Sequence, residues 1–203
     1  MDFATIKKNL EKKFYKVSVF DTAAEAVEYL NKSIDNETVG FGGSMTLRDL
    51  GLYDVLNTHN QVTWHMLSAN KYADETRELQ FKANAASIYL SSVNAIAKTG
   101  EIVNIDGTNN RVAGTLFGHK KVYFVVGKNK ITEDCDSAVY RARNVAAPLN
   151  AKRLGSKTPC AAKADKCYDC SSPGRICRSL CILMAAPMSS EYEVVLINED
   201  LGF

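Results

Sequence analysis

Short apolar runs alternate with amphipathic stretches of helical period along this chain, and that alternation restricts the fold more than any other feature. Phe3, Ile6, Leu10 and Phe14 recur at spacings of three and four with lysines between them, which predicts an amphipathic first helix. VSVF, from Val17 to Phe20, reads as a short strand. Thr22-Ala-Ala-Glu25 is a capping box for a second helix, whose buried stripe is Ala23, Ala26, Val27, Leu30 and Ile34. Thr38 to Phe41 reads as a buried strand, Tyr72 to Ala86 as a helix, and SIYLSSVNAIAKTGEIVNI as strand-rich. KKVYFVVG is a near-continuous buried strand. Thr132 is expected to cap a helix carrying Ala138, Val139, Ala142, Val145 and Ala146, with Pro148 as its stop. EVVLI, from Glu193 to Ile197, is the last strand. Helices alternating with apolar strands favour an α/β fold with a mainly parallel sheet flanked by helices.

At 203 residues, with 46% hydrophobic and 24% charged positions, the chain has material for one sizeable core. We therefore expect a single domain over residues 1–203, with a decorated C-terminal segment at 151–181. The N-terminus is charged throughout, and no apolar run approaches the roughly 20 residues of a spanning helix. A cytoplasmic protein without membrane contact is expected, in a reducing compartment where clustered thiols point to metal or redox chemistry more than to a disulfide framework.

Three strand-end loops suggest an anion site. Gly40 to Ser44 is a glycine-rich strand-to-helix turn with a helix expected from Thr46. The backbone at Gly42 and Gly43 can approach an anion closely, and Ser44 and Thr46 add hydroxyl donors. The turn carries neither the Lys of a Walker loop nor the GxGxxG spacing, and a purely structural turn is the competing reading. In the second loop, Thr99-Gly100 precedes a strand, and Asp106-Gly107-Thr108-Asn109-Asn110-Arg111 packs polar groups into a turn. There Arg111 could clamp a carboxylate or phosphate with Asn109 and Asn110 orienting it, unless Asp106-Gly107 is simply a hairpin turn. Glu101 is the one carboxylate placed as a candidate base or nucleophile, with a solvated Glu as the plainer alternative. The third loop offers Gly127, Asn129 and Lys130 at the carboxyl end of the long buried strand. If these strands are parallel neighbours, all three loops converge on one crevice.

Five of the six cysteines crowd into TPCAAKADKCYDCSSPGRICRSLC, Thr158 to Cys181. Cys160, Cys167, Cys170 and Cys177 follow the spacing C-x6-C-x2-C-x6-C. The central pair can reach one metal from a tight turn, and the flanking pair completes a tetrahedral set. Redox disulfides and inert packing are the alternatives. Seven Lys or Arg stand against two Asp from Ala151 to Cys181, so this is the basic part of the molecule. Cations there would offset the negative charge of a four-thiolate zinc or iron–sulfur centre. No histidine lies in the segment, and a four-cysteine set serves either a four-iron cluster (4Fe-4S) or zinc. Cys135 and Cys181 read as small packed residues outside the centre.

The stretches VNAIAKTGEIVNIDGTNNRVAG, VVGKNKITED, RNVAAPLNAKRLG, TPCAAKADKCYDCSSPGRIC and NEDLGF resemble the LUD-domain proteins, associated with lactate utilisation. The likeness is nearest to small stand-alone members of the lactate-utilisation protein C type. It covers most of the chain, is most specific from Tyr89 to Cys177 and is weaker before Val39. The resemblance implies the NagB/RpiA/CoA-transferase-like fold, whose glycine-rich turn would be Gly40 to Ser44. Wider members bind sugar phosphates or CoA thioesters there. It also implies redox subunits of a lactate-oxidising complex as partners.

Two function classes remain. One is an enzyme or accessory subunit in organic-acid (lactate) oxidation, binding a small anionic metabolite in the three-loop crevice beside a four-cysteine centre, with homo-oligomerisation possible. The other is a zinc-stabilised nucleic-acid or protein-binding module without catalysis. Tyr168 alone gives little aromatic interleaving for base stacking, which ranks nucleic acid lower.

Overall fold

The computed structural model describes residues 3–68 and 74–203. In chain order its elements are α1 (Ala4–Lys12), β1 (Lys16–Phe20), α2 (Ala23–Ser33), β2 (Thr38–Phe41), α3 (Met45–Asp49), α4 (Leu52–Leu56) and β3 (Gln61–Trp64). Then come α5 (Asp74–Asn84), β4 (Ile88–Ser91), β5 (Ala95–Ala97), β6 (Ile102–Asp106), α6 (Asn110–Leu116), β7 (Lys121–Gly127), β8 (Ile131–Thr132) and α7 (Cys135–Arg141). A π-helical turn at Ala142–Ala146, α8 (Ala147–Arg153), α9 (Pro159–Lys163), β9 (Ser179–Leu183) and β10 (Glu191–Ile197) complete the chain.

A mixed α/β domain results, with a mostly parallel sheet flanked by helices. Six strands run parallel in the order β1-β10-β7-β4-β2-β3. The run KVYFVVG is apolar on both faces and accordingly lies at the centre of this sheet. On one face Ile6 and Leu10 of α1 pack with Phe124 and Val126. On the other, Leu30 of α2, Leu47 and Leu56 pack with Phe41, Leu90 and Val125. The capping box forms as its sequence predicts, Thr22 and Glu25 each accepting from the other's backbone amide. A second, mixed sheet, β8-β5-β6-β9, packs its small apolar residues against Ala138 of α7 and Ala142 of the π-helical turn.

Two close features depend on single residues. A Cβ at Gly40 would lie 2.0 Å from the Ala83 carbonyl oxygen, so only glycine lets α5 press against β2 here. Glu193 is fully buried on β10, where Lys121 reaches it at 2.8 Å and Lys16 at 3.3 Å, and Ser18 and Tyr29 donate to its other oxygen. Burial alone would raise its pKa. Those bonds outweigh it and hold the carboxyl below its ordinary value.

Several expectations are corrected. Phe14 is 80% exposed at φ +68°, beyond the end of α1, so it does not belong to the buried stripe. The helix after the glycine turn begins at Met45, with Ser44 as its cap accepting from the Leu47 amide. Asp106-Gly107 is no hairpin: β6 leads into α6. Asp134 caps α7 in place of Thr132, which lies in β8. Pro148 does not stop the helix, which continues to Arg153. A widened π turn immediately precedes the proline, and such a turn accommodates within a continuous helix a residue that has no N–H to donate. Of the expected helix from Tyr72 to Ala86, residues Tyr72 and Ala73 lie outside the described residues. No helix among the described residues is long and apolar enough to cross a membrane.

Candidate functional site

All three strand-end loops reach one cleft of about 610 Å³, lined among others by Gly43, Ser44, Asp106, Thr108, Asn110, Arg111 and Lys130. The glycine turn and the Lys130 loop arrive at the carboxyl ends of β2 and β7 in the parallel sheet. The Asp106–Arg111 loop comes instead from the second sheet, through β6. Convergence therefore depends on two sheets meeting, where sequence reasoning assumed one.

Within the cleft the polar groups hold one another in place. Asp106 ends β6 and caps α6, its Oδ1 accepting from the amides of Gly107 at 2.7 Å and Asn109 at 3.2 Å and its Oδ2 from that of Val112 at 3.1 Å. Arg111 donates to Asn104 Oδ1 at 2.9 Å, Asn94 Oδ1 at 3.1 Å and the Ile105 carbonyl at 2.6 Å. Its guanidinium is thus largely engaged in tying β5 to β6, and it contributes charge to the cleft more than free donors. Gly42 lies behind the cleft wall, where an added Cβ would meet Arg111 Cγ at 3.0 Å.

Lys130 is 4% exposed, and its Nζ donates to Thr46 Oγ1 at 2.8 Å and Ser92 Oγ at 3.0 Å. Among the described residues no carboxylate pairs with it. Burial, reinforced by the nearby guanidinium groups of Arg141 and Arg111, pulls the amine down to about 7. Thr46, buried behind the turn, also donates to the Leu201 carbonyl at 3.3 Å. Asn129 faces the C-terminal tail and bonds Leu201 and Gly202, and Gly127 packs against Asn129, Glu199 and Leu201. The tail thereby covers the Lys130 loop, and Phe203 lines the cleft.

Other expected residues sit elsewhere. Glu101 pairs with Lys13 at 2.6 Å and accepts from the Thr99 hydroxyl, at a turn where Gly100 packs on the Lys13 side chain. Burial raises the Glu101 pKa, but those partners bring it below its ordinary value. None of Thr99, Gly100 and Glu101 lines the cleft, and the geometry gives Glu101 an ion-pair role. Asn109, at φ +64°, interacts with Ser179 of β9. Sequence reasoning missed His65, Ser92, Asn94, Asn150 and Arg153, all of which line the cleft. His65 Nδ1 has no partner among the described residues, and burial lowers the ring's pKa. Ser92 and Asn94 follow β4, so the signal that flagged the other loops was present there too.

Next to the cleft is a second cavity of about 260 Å³, and Cys160, Cys167, Cys170 and Cys177 all line it. Thr158 caps α9 and so places Cys160, and the Cys167 amide donates to Asn144 Oδ1 at 3.1 Å. Arg175 holds the other arm by donating to the carbonyls of Cys170 at 2.7 Å and Cys177 at 3.2 Å. Arg143 and Arg178 also line this cavity. Cys135 and Cys181 do not, and burial pushes both their thiols up. Among the described residues no three His, Cys, Asp or Glu side chains are already grouped as a single-ion site. Ile105, Ala147 and Ile176 border both cavities.

The LUD domain family model matches residues 3–197. This chain belongs to the LUD-domain family. The LUD-domain fold is supported by a solved structure, a DUF162 family protein from Deinococcus radiodurans, with a TM-score of 0.55 at 13% identity over 95% of this chain and 94% of that one. No curated protein matches the LUD-domain chain.

Proposed function

We propose that this LUD-domain protein assists organic-acid (lactate) utilisation in the cytoplasm, binding a small anionic metabolite in the cleft beside a four-cysteine metal or iron–sulfur centre. The NagB/RpiA/CoA-transferase-like fold, with 151–181 as a Cys-rich insertion, is part of the same reading, as is association with redox subunits of a lactate-oxidising complex. One observation carries it: Arg111 and Arg153 line the cleft with Arg141 close behind Lys130, and the one carboxylate side chain among the described residues of the lining, Asp106, is committed to capping α6 and to Arg111. An anion would supply the missing counter-charge.

The chemistry of the cysteine cavity's lining supports a metal group, although among the described residues its thiols are not grouped on a single-ion site. Four cysteines and three arginines line this cavity, and a four-iron cluster, with a separate corner for each thiolate, needs the sulfurs less closely grouped than one ion does. Such a cluster would supply one-electron transfer, whereas zinc would pin the segment. Anaerobic purification followed by iron and zinc analysis and a visible spectrum tests this. We expect metal in the native protein, lost on Ser substitution of Cys160, Cys167, Cys170 or Cys177 and kept on substitution of Cys135 or Cys181. Protein with neither metal, or metal that survives loss of any two of the four, overturns the centre. Calorimetry with lactate and pyruvate tests the cleft, and absence of heat for both overturns the metabolite reading.

A further inference from the structure

Lys130 is placed unlike any other cation of the site. Arg111 and Arg153 donate to side-chain amides within the cleft wall, and Arg141 donates to the Asn129 and Asn94 carbonyls. Lys130 ends at the cleft on two hydroxyls, Thr46 Oγ1 and Ser92 Oγ, without a carboxylate. Both hydroxyls can accept from the amine's N–H groups, and that geometry leaves the nitrogen lone pair free. The tail at Gly202 closes over it, where an added Cβ would lie 3.3 Å from Nζ. An amine kept from water beside other cations is the environment in which lysine acts as a nucleophile toward carbonyl groups.

We propose that Lys130 is a catalytic nucleophile that forms an imine with a 2-oxo acid bound in the cleft. This rests on the anionic-metabolite reading and adds a reacting group to it. The cationic surroundings require an anionic ligand and the amine requires a carbonyl. A 2-oxo acid carries its carboxylate next to its carbonyl. Lys130 Nζ attacks the carbonyl carbon, forming the C–N bond. The carbonyl oxygen then leaves as water with the two amine hydrogens, and no electrons are gained or lost. Thr46 and Ser92 are within reach to hand protons to the departing oxygen. The low basicity of Lys130 is consistent with this role, because the neutral amine is the form that attacks.

The test uses pyruvate as probe, with cyanoborohydride to reduce and trap any imine on the full-length protein near neutral pH, followed by peptide mass mapping. Pyruvate binding is measured in parallel by calorimetry without reductant. A lysine of ordinary pKa is almost wholly protonated under these conditions, so trapping at Lys130 is expected to exceed that at other lysines on the order of 1000-fold. Lys130→Met should remove the adduct, and a circular dichroism spectrum checks that this variant is folded. Lys130→Arg places a permanent cation that cannot form the imine and should bind pyruvate without trapping it. Pyruvate that binds the native protein and leaves no adduct at Lys130 overturns the imine while the metabolite reading stands. Adducts spread evenly over surface lysines also overturn it. Neither heat nor adduct overturns both.

Discussion

Replacing Lys130 by Met should change how stability depends on pH, with a sign and a size set by where the amine sits. The folded chain holds Lys130 at about 7 against an ordinary 10.5. Between those values the unfolded chain carries the proton and the folded chain does not, so unfolding takes up a proton and native stability rises with pH. Below the lower value both states are protonated, and the native state bears the full penalty of a buried charge, on the order of 5 kcal/mol for such a shift. Lys130→Met removes the titration while keeping an unbranched chain of similar length. Native stability minus variant stability should therefore increase by about 2 kcal/mol between roughly pH 7 and pH 9. All other groups titrate alike in both proteins and cancel. Urea unfolding followed by Trp64 fluorescence at several pH values measures it, Trp64 being the single tryptophan and buried. A difference that is flat with pH, or that falls, would falsify the claim that Lys130 is neutral in the folded protein.

Two further perturbations probe the frame around the site. Lys121→Met leaves Glu193 buried without its nearest cation, and about 3–5 kcal/mol of stability should be lost at neutral pH, read by chemical denaturation. Because the Glu193 carboxyl is depressed in the native state, the contribution of its network is present above the ordinary carboxylate range and fades on acidification through the lowered value. A variant as stable as the native protein would refute that account. Gly40→Ala drives a methyl group into the Ala83 carbonyl, and we expect loss of at least about 1–3 kcal/mol, or failure to fold. An unchanged melting temperature would mean that α5 can withdraw from β2 freely.

The parallel core was legible because its signals are local and repeated. The capping box at Thr22, the two-faced apolar run in β7 and the glycine turn after β2 each state their structure within a few residues. β5 and β6 fall in the stretch read as strand-rich, but their separation into a second sheet was not legible, because β5 and β8 are only three and two residues long, too short to show a period. β9 was hidden because SLCIL alternates exposed and covered positions inside a segment read for its thiols. Pro148 misled for a physical reason: the rule that proline ends a helix assumes α geometry upstream, and the π turn suspends it. For the candidate site, loop positions could be read from strand ends, but the division of labour could not. Arg111 has every local mark of a ligand clamp, yet Asn94 and Asn104, brought close by the pairing of β5 with β6, take up its donors. Lys130 looked ordinary in sequence, and its isolation from carboxylates exists only once the tail and the second sheet are in place.

The partition formed by Ile105, Ala147 and Ile176 makes the two cavities neighbours that share a wall. Ile105 belongs to β6, Ala147 begins α8, and Ile176 lies one residue before Cys177. A thiol ring that tightens around a bound group pulls on Ile176, against whose carbonyl Gly107 is packed, and Gly107 directly follows Asp106. If the proposed four-cysteine centre is occupied, this shared wall offers a route by which that occupancy would shift the cleft, with no ligand-to-ligand contact. For anyone dissecting this protein by substitution, residues in contact across one wall are the ones whose effects are expected to depart from additivity. An energy assigned to one cavity holds only for a stated state of its neighbour, and a cycle of single and double variants across the wall measures how strongly the two are joined.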